Sequence, residues 1–176
     1  MCASHKIELL PSWIPREDNE TADFISKLSD TDNWGIDYET FAFIEARYGK
    51  FTIDRFADNL NKKVEVFNSK FYCPFTSGVN AFTFDWSNHF NWLCPPVNLI
   101  GDTINHLKLC KGKAVLLVPM WQSSYFWPLL TSDGEYFNDF VIDFILLDPC
   151  FYNNTSMRSV FDGFAKFKTL ALLLQF

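Results

Sequence analysis

The stretch that decides the fold runs from residue 91 to residue 119 and reads NWLCPPVNLIGDTINHLKLCKGKAVLLVP. Asn91 to Cys94 predicts a short strand that ends at Pro95, because proline has no N–H to continue a ladder. Val97 to Cys110 carries apolar residues at helical spacing. Ala114 to Val118 is an unbroken apolar run, typical of a strand buried on both faces. This order predicts a strand–helix–strand unit in a parallel sheet.

The flanking segments continue the alternation of strand and helix. Further strands are predicted from Phe51 to Phe56, Ala81 to Trp86, Phe140 to Leu147 and Thr169 to Phe176, and a helix from Ser123 to Leu130. The pattern indicates an α/β fold with a doubly wound, mostly parallel sheet. Ligands of such sheets bind beyond the carboxyl ends of the strands, so the loops after Phe56, Trp86 and Cys94 are the predicted location of a site.

The amino-terminal part predicts a separate unit. A strand and a helix are expected in residues 1–30, and the polar segment from Ser29 to Gly35 reads as a linker. A second helix begins after Asp37, a residue type suited to capping, and stops at Gly49. We therefore expect one unit at residues 1–30 and a second domain at residues 36–176.

Composition restricts the classes of function. The chain has 176 residues, a net charge of −6 and a pI near 5.0, whereas an autonomous nucleic-acid binder usually carries excess positive charge. Its five cysteines are scattered without a C-x-x-C pair, which favours reduced thiols in a cytoplasmic or nuclear protein. No apolar run is long enough to predict a membrane span, so an intracellular protein without a membrane partner is expected.

A short motif in the amino-terminal unit carries the first resemblance. Residues 19–23 read NETAD, with Asp23 one turn into the predicted helix. This resembles the last strand and helix of retroelement ribonucleases H and implies Asp23 as the last of their metal-binding carboxylates. Two Mg²⁺ ions need several carboxylates, so Mg²⁺ is expected only with a complete ribonuclease H domain. The alternative is that Asp23 is an ordinary solvated helix residue.

Four motifs in order carry the second resemblance. They are TIDRFADNLNKK at residues 52–63, NAFTFDWS at 80–87, NWLCPP at 91–96 and VLLVPMW at 115–121. Their order resembles the phage-type DNA N6-adenine methyltransferases. It is still more similar to the methyltransferase-like region of DIRS-type tyrosine-recombinase retrotransposons, which follows reverse transcriptase and ribonuclease H in a polyprotein. The resemblance covers about residues 6–176 and implies a methyltransferase-like fold.

The diproline loop is the catalytic position that this resemblance implies. In active relatives the loop reads (D/N)-P-P-(Y/F), with an oxygen acceptor for the adenine amine and a ring that stacks on the flipped base. Here the loop reads Cys94-Pro95-Pro96-Val97, so the acceptor and the ring are replaced. The segment at residues 51–61 also lacks the glycine that close approach to a cofactor favours.

Two carboxylates are implied as contacts for S-adenosylmethionine. Asp54 would bind its ribose or amine, and Asp85 would hold its adenine ring beside Trp86. The alternatives are a turn-forming Asp54 and an exposed Asp85 next to a core tryptophan. Given the altered loop, use of the cofactor is in doubt.

The functional hypothesis is a non-catalytic or degenerate DNA adenine methyltransferase-like module of a retrotransposon polyprotein, which handles element nucleic acid. The alternative is an active S-adenosylmethionine-dependent DNA N6-adenine methyltransferase. Element DNA or an RNA–DNA hybrid, and adjoining reverse transcriptase and recombinase domains, are the implied partners. Enzymatic activity is not expected of this chain alone.

Two further groups of side chains have open interpretations. Six lysines are candidates for a basic rim round the loop mouth: Lys62, Lys63, Lys70, Lys108, Lys111 and Lys113. The aromatic cluster Trp121, Tyr125, Phe126 and Trp127 either stacks bases or covers the sheet.

Overall fold

The computed structural model describes residues 34–153 and 166–176, together with Ser12 and Pro15. The chain divides into two compact units, residues 1–30 and residues 31–176, and every helix and strand given below belongs to the second. Asp23 and the predicted ribonuclease H strand and helix lie outside the described residues.

The second unit alternates short strands with few helices. Its helices are α1 (Tyr38–Tyr48), α2 (Ile100–Leu109) and α3 (Trp127–Leu130), with 3-10 turns at Ala81–Thr83 and Val97–Leu99. Its strands are β1 (Trp34–Ile36), β2 (Ile53–Asp54), β3 (Asn68–Ser69), β4 (Gly78–Val79), β5 (Phe90–Leu93), β6 (Lys113–Pro119), β7 (Thr131–Ser132), β8 (Tyr136–Phe137), β9 (Val141–Leu147), β10 (Phe151–Asn153) and β11 (Thr169–Gln175). Within the part of the chain that the structure describes, no helix has the length and apolarity to span a bilayer.

The central sheet is mixed rather than mostly parallel. Its five strands lie in the order β2-β5-β6-β11-β9, and only the β2–β5 and β5–β6 pairs are parallel. Strand β11 runs antiparallel to both of its neighbours, β6 and β9. The α/β class is therefore correct, but the doubly wound parallel sheet is not clearly present. The apolar run of β11 indicates that the strand is buried on both faces. Burial alone does not determine whether a strand runs parallel or antiparallel to its neighbours.

The helices cover opposite faces of this sheet. Successive residues of β6 point to opposite sides, so Val115 and Leu117 pack with Phe41 and Ile44 of α1. Leu116, between them, packs with α2 and α3 on the other side. The strand–helix–strand unit predicted for residues 91–119 is thus confirmed as β5-α2-β6.

Helix α1 also agrees with prediction. The Asp37 carboxylate accepts from the Thr40 amide at 2.7 Å, and Gly49 follows the helix with a φ of 98°. That φ lies in the region where glycine has no Cβ penalty.

Three other predicted elements are wrong or shortened. Residues 81–86 form a 3-10 turn and a loop instead of a strand, and the Trp86 Nε1 donates to the Ala81 carbonyl at 3.0 Å. The strand at residues 51–56 is reduced to Ile53–Asp54. The helix at residues 123–130 begins only at Trp127, because Pro128 is tolerated in a first turn but not in a helix interior.

Gly112→Ala tests the tight connection between α2 and β6. An added Cβ would lie 2.8 Å from Leu107 Cδ1 and 3.2 Å from the Trp86 carbonyl oxygen. We expect overpacking to lower the free energy of unfolding by about 1–3 kcal/mol, measured by urea denaturation. Gly35→Ala is the matched control, since its nearest atom would be at 3.9 Å. Equal stability of the two variants would contradict this account.

Candidate functional site

A small pocket lies where two parallel strands end. Asp54 is the last residue of β2 and pairs with Trp92 of the neighbouring β5, and Cys94 follows β5. Asp54 and Cys94 both line this pocket, whose remaining lining residues are Trp34, Gly35, Ile36, Phe56, Asn61, Lys63 and Trp92. The structure thus brings together two of the predicted site residues at the carboxyl edge of the sheet, where ligands of such sheets bind.

Asp54 is a buried carboxyl group held by the backbone. Its side-chain oxygens accept from the Phe56 amide at 3.3 Å and from the Lys63 amide at 3.0 Å. Only 2% of the residue is exposed, and this burial raises the pKa of Asp54 to about 7, despite the opposing effect of those two hydrogen bonds and of the Lys63 charge. Near neutral pH the group therefore exists in both protonation states, which is uncommon for an aspartate.

Lys63 brings a positive charge to the pocket. Its ammonium group donates to the Tyr152 hydroxyl at 3.4 Å and lies 5.8 Å from the centre of that ring. The same residue contributes its backbone amide to Asp54. Lys63 therefore links the loop after β2 to strand β10.

Cys94 contributes a neutral thiol. The residue is buried, and burial raises the pKa of the Cys94 thiol well above its usual value, with Asp54 and Cys150 acting in the same direction. The thiol is therefore protonated at neutral pH. A thiol is a weak donor and a weak acceptor of hydrogen bonds.

The diproline loop is a fixed corner. Pro95 is buried, and Pro96 has φ −51° and ψ 146°, with its carbonyl accepting from the Leu99 amide at 2.9 Å. The Tyr125 hydroxyl donates to the Val97 carbonyl at 2.7 Å. The stiffness predicted from two prolines is present, but the carbonyls of Pro96 and Val97 already have partners within the chain.

Asp85 lies away from this pocket. It belongs to the loop that precedes β5, so it sits toward the amino end of the strand that Cys94 follows. Its exposed carboxylate accepts from the amide and the hydroxyl of Ser87, both at 2.9 Å, and these hydrogen bonds lower the pKa of Asp85. The structure does not bring Asp85 together with Asp54, whereas Trp86 beside it is fully buried.

A buried arginine is the feature that sequence reasoning missed. Arg55 is 2% exposed, and its guanidinium donates to the side-chain oxygens of Asn91 and Asn68, each at 2.8 Å, and to the Asp85 carbonyl at 3.3 Å. Burial lowers the pKa of Arg55 to about 10, which still leaves it charged at neutral pH. The available signal was Asn91, a polar residue at the start of the predicted strand Asn91–Cys94.

The remaining candidates are distributed by the fold. Lys108, Lys111 and Lys113 lie at the end of α2 and the start of β6, toward the amino edge of the sheet, so the six lysines form no single rim. In the aromatic cluster, Phe126 and Trp127 are buried and cover the sheet. Among the described residues no group of three His, Cys, Asp or Glu side chains is placed to hold a metal ion.

Asp54→Asn tests the environment of the pocket. Folded Asp54 keeps its proton up to about pH 7, whereas its ordinary pKa is 3.8, so the folded state binds more protons within that range. The free energy of unfolding should therefore fall as the pH rises from about 4 to about 7, by up to about 4 kcal/mol from this group. Urea denaturation at several pH values should show that fall in the wild type and a smaller one in Asp54→Asn.

The control for this measurement is Asp85→Asn. Asp85 is exposed and the pKa of its carboxyl is lowered rather than raised, so this variant should keep the pH dependence of the wild type. An identical pH dependence in wild type and Asp54→Asn would show that burial does not raise the pKa of the Asp54 carboxyl.

Comparison with known proteins provides evidence on the family of this chain. A search of curated proteins finds no match. The model of the family described as DNA N-6-adenine-methyltransferase (Dam) matches residues 25–145, which is 121 of the 176 residues and includes β2, β5, the diproline loop and β6. On this match, the chain belongs to the Dam family of DNA N6-adenine methyltransferases.

Proposed function

We propose that this domain is a Dam-family module that engages DNA without transferring methyl groups. The observation that carries the proposal is Cys94. It lies in the pocket beside Asp54. By sequence resemblance it stands where the family's loop has an oxygen acceptor for the adenine amine. The thiol there is buried and protonated.

The chemistry of the reaction explains why this residue matters. Methyl transfer to adenine is an in-line displacement, in which the protein orients the amine nitrogen and polarises it with a hydrogen-bond acceptor. A neutral thiol accepts hydrogen bonds weakly. Loss of one oriented hydrogen bond at a reacting centre typically costs on the order of a hundredfold in rate or more. Val97 adds to this loss because it offers no ring to stack on a flipped base.

The family implies S-adenosylmethionine as cofactor, but the pocket does not fit it. Its empty volume is about 200 Å³, open solvent included. The Asp54 oxygens that would bind the cofactor accept from two backbone amides instead. Phe56 and Asn61 line the space in a loop that contains no glycine between residues 51 and 61. These side chains leave little room for a ribose and a purine ring.

Active methyl transfer is the second candidate, and one observation favours it. Asp54 and Cys94 lie at the carboxyl ends of adjacent parallel strands, which is where a doubly wound sheet binds its ligand. A pKa near 7 at Asp54 is also typical of functional carboxylates.

The wider context is a proposal that rests on sequence resemblance. We propose that the domain belongs to a retrotransposon polyprotein, where it follows a ribonuclease H domain and adjoins reverse transcriptase and recombinase. Mg²⁺ would then be bound by the complete ribonuclease H domain, with Asp23 as one ligand. A longer chain that includes the upstream carboxylates should cut an RNA–DNA hybrid, and Asp23→Asn should abolish the cutting. Unchanged cutting by Asp23→Asn would overturn the role of this residue.

The main proposal is tested by methyl transfer and cofactor binding. With tritiated S-adenosylmethionine and adenine-rich DNA, single- or double-stranded, we expect no label on the DNA above a protein-free control. Titration calorimetry should likewise detect no saturable binding of the cofactor, because the Asp54 oxygens already accept from backbone amides and the lining side chains leave little room.

The contrary outcome is equally specific. Label on N6 of adenine that disappears in Asp54→Asn but persists in Asp85→Asn would establish the active enzyme instead. Both variants should be compared by thermal unfolding, so that loss of activity is not mistaken for loss of the fold.

A further inference from the structure

The loop at residues 70–77, between β3 and β4, presents aromatic rings to solvent. Tyr72 is 84% exposed and Phe75 is 81% exposed, and Phe71 is partly exposed beside them. Large rings are normally packed, because burying each one contributes substantially to stability. A group of exposed rings in one short loop therefore marks a surface that binds something.

The loop is held in place rather than collapsed. The Ser69 hydroxyl donates to the Thr76 hydroxyl at 2.8 Å, and the Thr76 hydroxyl donates to the Gly78 carbonyl at 2.9 Å. The Ser77 amide donates to the Phe67 carbonyl at 2.8 Å. These hydrogen bonds fix both ends of the loop to β3 and β4. The exposed rings therefore lie on a loop that is held to the sheet.

The backbone of Phe75 is strained. Its φ is 66°, in the left-handed region that a bulky side chain rarely adopts. Such strain persists only where surrounding contacts impose it, and it is concentrated at functional sites. The Phe75 ring is 81% exposed, so its packing within the fold does not offset this strain.

The loop lies at the same edge of the sheet as the pocket. Phe67 forms a parallel bridge with Asp54, and β3 continues from it in the direction of β2. Lys70 follows Phe67 by three residues, which is about 10 Å along an extended chain. The loop therefore begins within about 10 Å of Phe67, which pairs with the pocket residue Asp54.

The charge around the loop suits a phosphate backbone. The loop itself, residues 70–77, carries one lysine, Lys70, and no acidic residue. Lys70 is exposed, and its ammonium group lies 5.4 Å from the centre of the Phe71 ring. Lysine beside stacking rings is the combination with which proteins hold single-stranded nucleic acid.

We propose that the loop at residues 70–77 binds single-stranded DNA by stacking unpaired bases on Tyr72 and Phe75, with Lys70 near the phosphates. The inference rests on the proposed function, because it takes DNA as the ligand. Unpaired bases are required, since the faces of paired bases are hidden within the duplex stack. Stacking uses a face that every base has, so little sequence preference is expected.

Fluorescence anisotropy with a labelled 12-nucleotide DNA strand tests the proposal on the full chain. Tyr72→Ala and Phe75→Gly should each raise the Kd about 5- to 100-fold. Phe75→Gly also accommodates the positive φ, so its fold should not suffer. Tyr72→Phe keeps a ring and should bind like wild type. Lys70→Ala should make the logarithm of the affinity less dependent on the logarithm of the salt concentration, by about 0.7 in slope.

Exposed residues elsewhere serve as matched controls. Tyr136 in β8 is 72% exposed and Leu109 at the end of α2 is 79% exposed, so Tyr136→Ala and Leu109→Ala should leave the Kd unchanged. Thermal unfolding of every variant excludes loss of the fold as the cause of weaker binding.

Several outcomes would overturn the inference. These are wild-type affinity in both Tyr72→Ala and Phe75→Gly, equal affinity for duplex DNA, tighter binding of the same strand as RNA, or ring-dependent binding only to anionic phosphatidylserine vesicles. Detection of methyl transfer would instead overturn the proposed function and leave the stacking surface intact. The two proposals therefore fail separately.

Discussion

The burial of one positive charge organises this domain. Arg55 cannot be taken out of water unless each N–H group finds an acceptor, and its acceptors come from β5, from β3 and from the loop before β5. Those three segments are therefore held at fixed positions around the end of β2. Asp54, the residue before Arg55 in the chain, is positioned by the same arrangement and lines the pocket. The loop with the exposed rings begins directly after β3, so its place also depends on this charge.

Burial also sets the chemical character of the pocket. It raises the pKa of the Asp54 carboxyl and that of the Cys94 thiol, so both groups tend toward their neutral forms. The pocket thus presents a protonated thiol and a carboxyl already bonded to backbone amides. Under the proposed function, the fold keeps a ligand-binding edge without the groups that act on the ligand, since function resides in the site rather than in the fold.

Local patterns predicted the elements whose signals are local. The Asp37 cap, the stop at Gly49, the helical spacing of α2 and the apolar run of β6 all depend on neighbours in the chain, and these elements formed where predicted. The direction of β11 and the burial of Arg55 depend on distant partners and left no periodic signal. Asp85 was grouped with Asp54 by resemblance, but Asp54 ends β2, whereas Asp85 precedes the parallel strand β5. The loop with Tyr72 and Phe75 was overlooked because exposed rings resemble core residues in a sequence.

The position of β11 has a consequence for synthesis on the ribosome. This strand fills the gap between β6 and β9, and its first pair joins Thr169 to Pro119, fifty residues earlier. Until it emerges from the exit tunnel, β6 and β9, which are synthesised earlier, lack a partner for the edges that face β11. Such edges invite association with other chains, so the nascent polypeptide passes through an interval in which chaperone protection is needed.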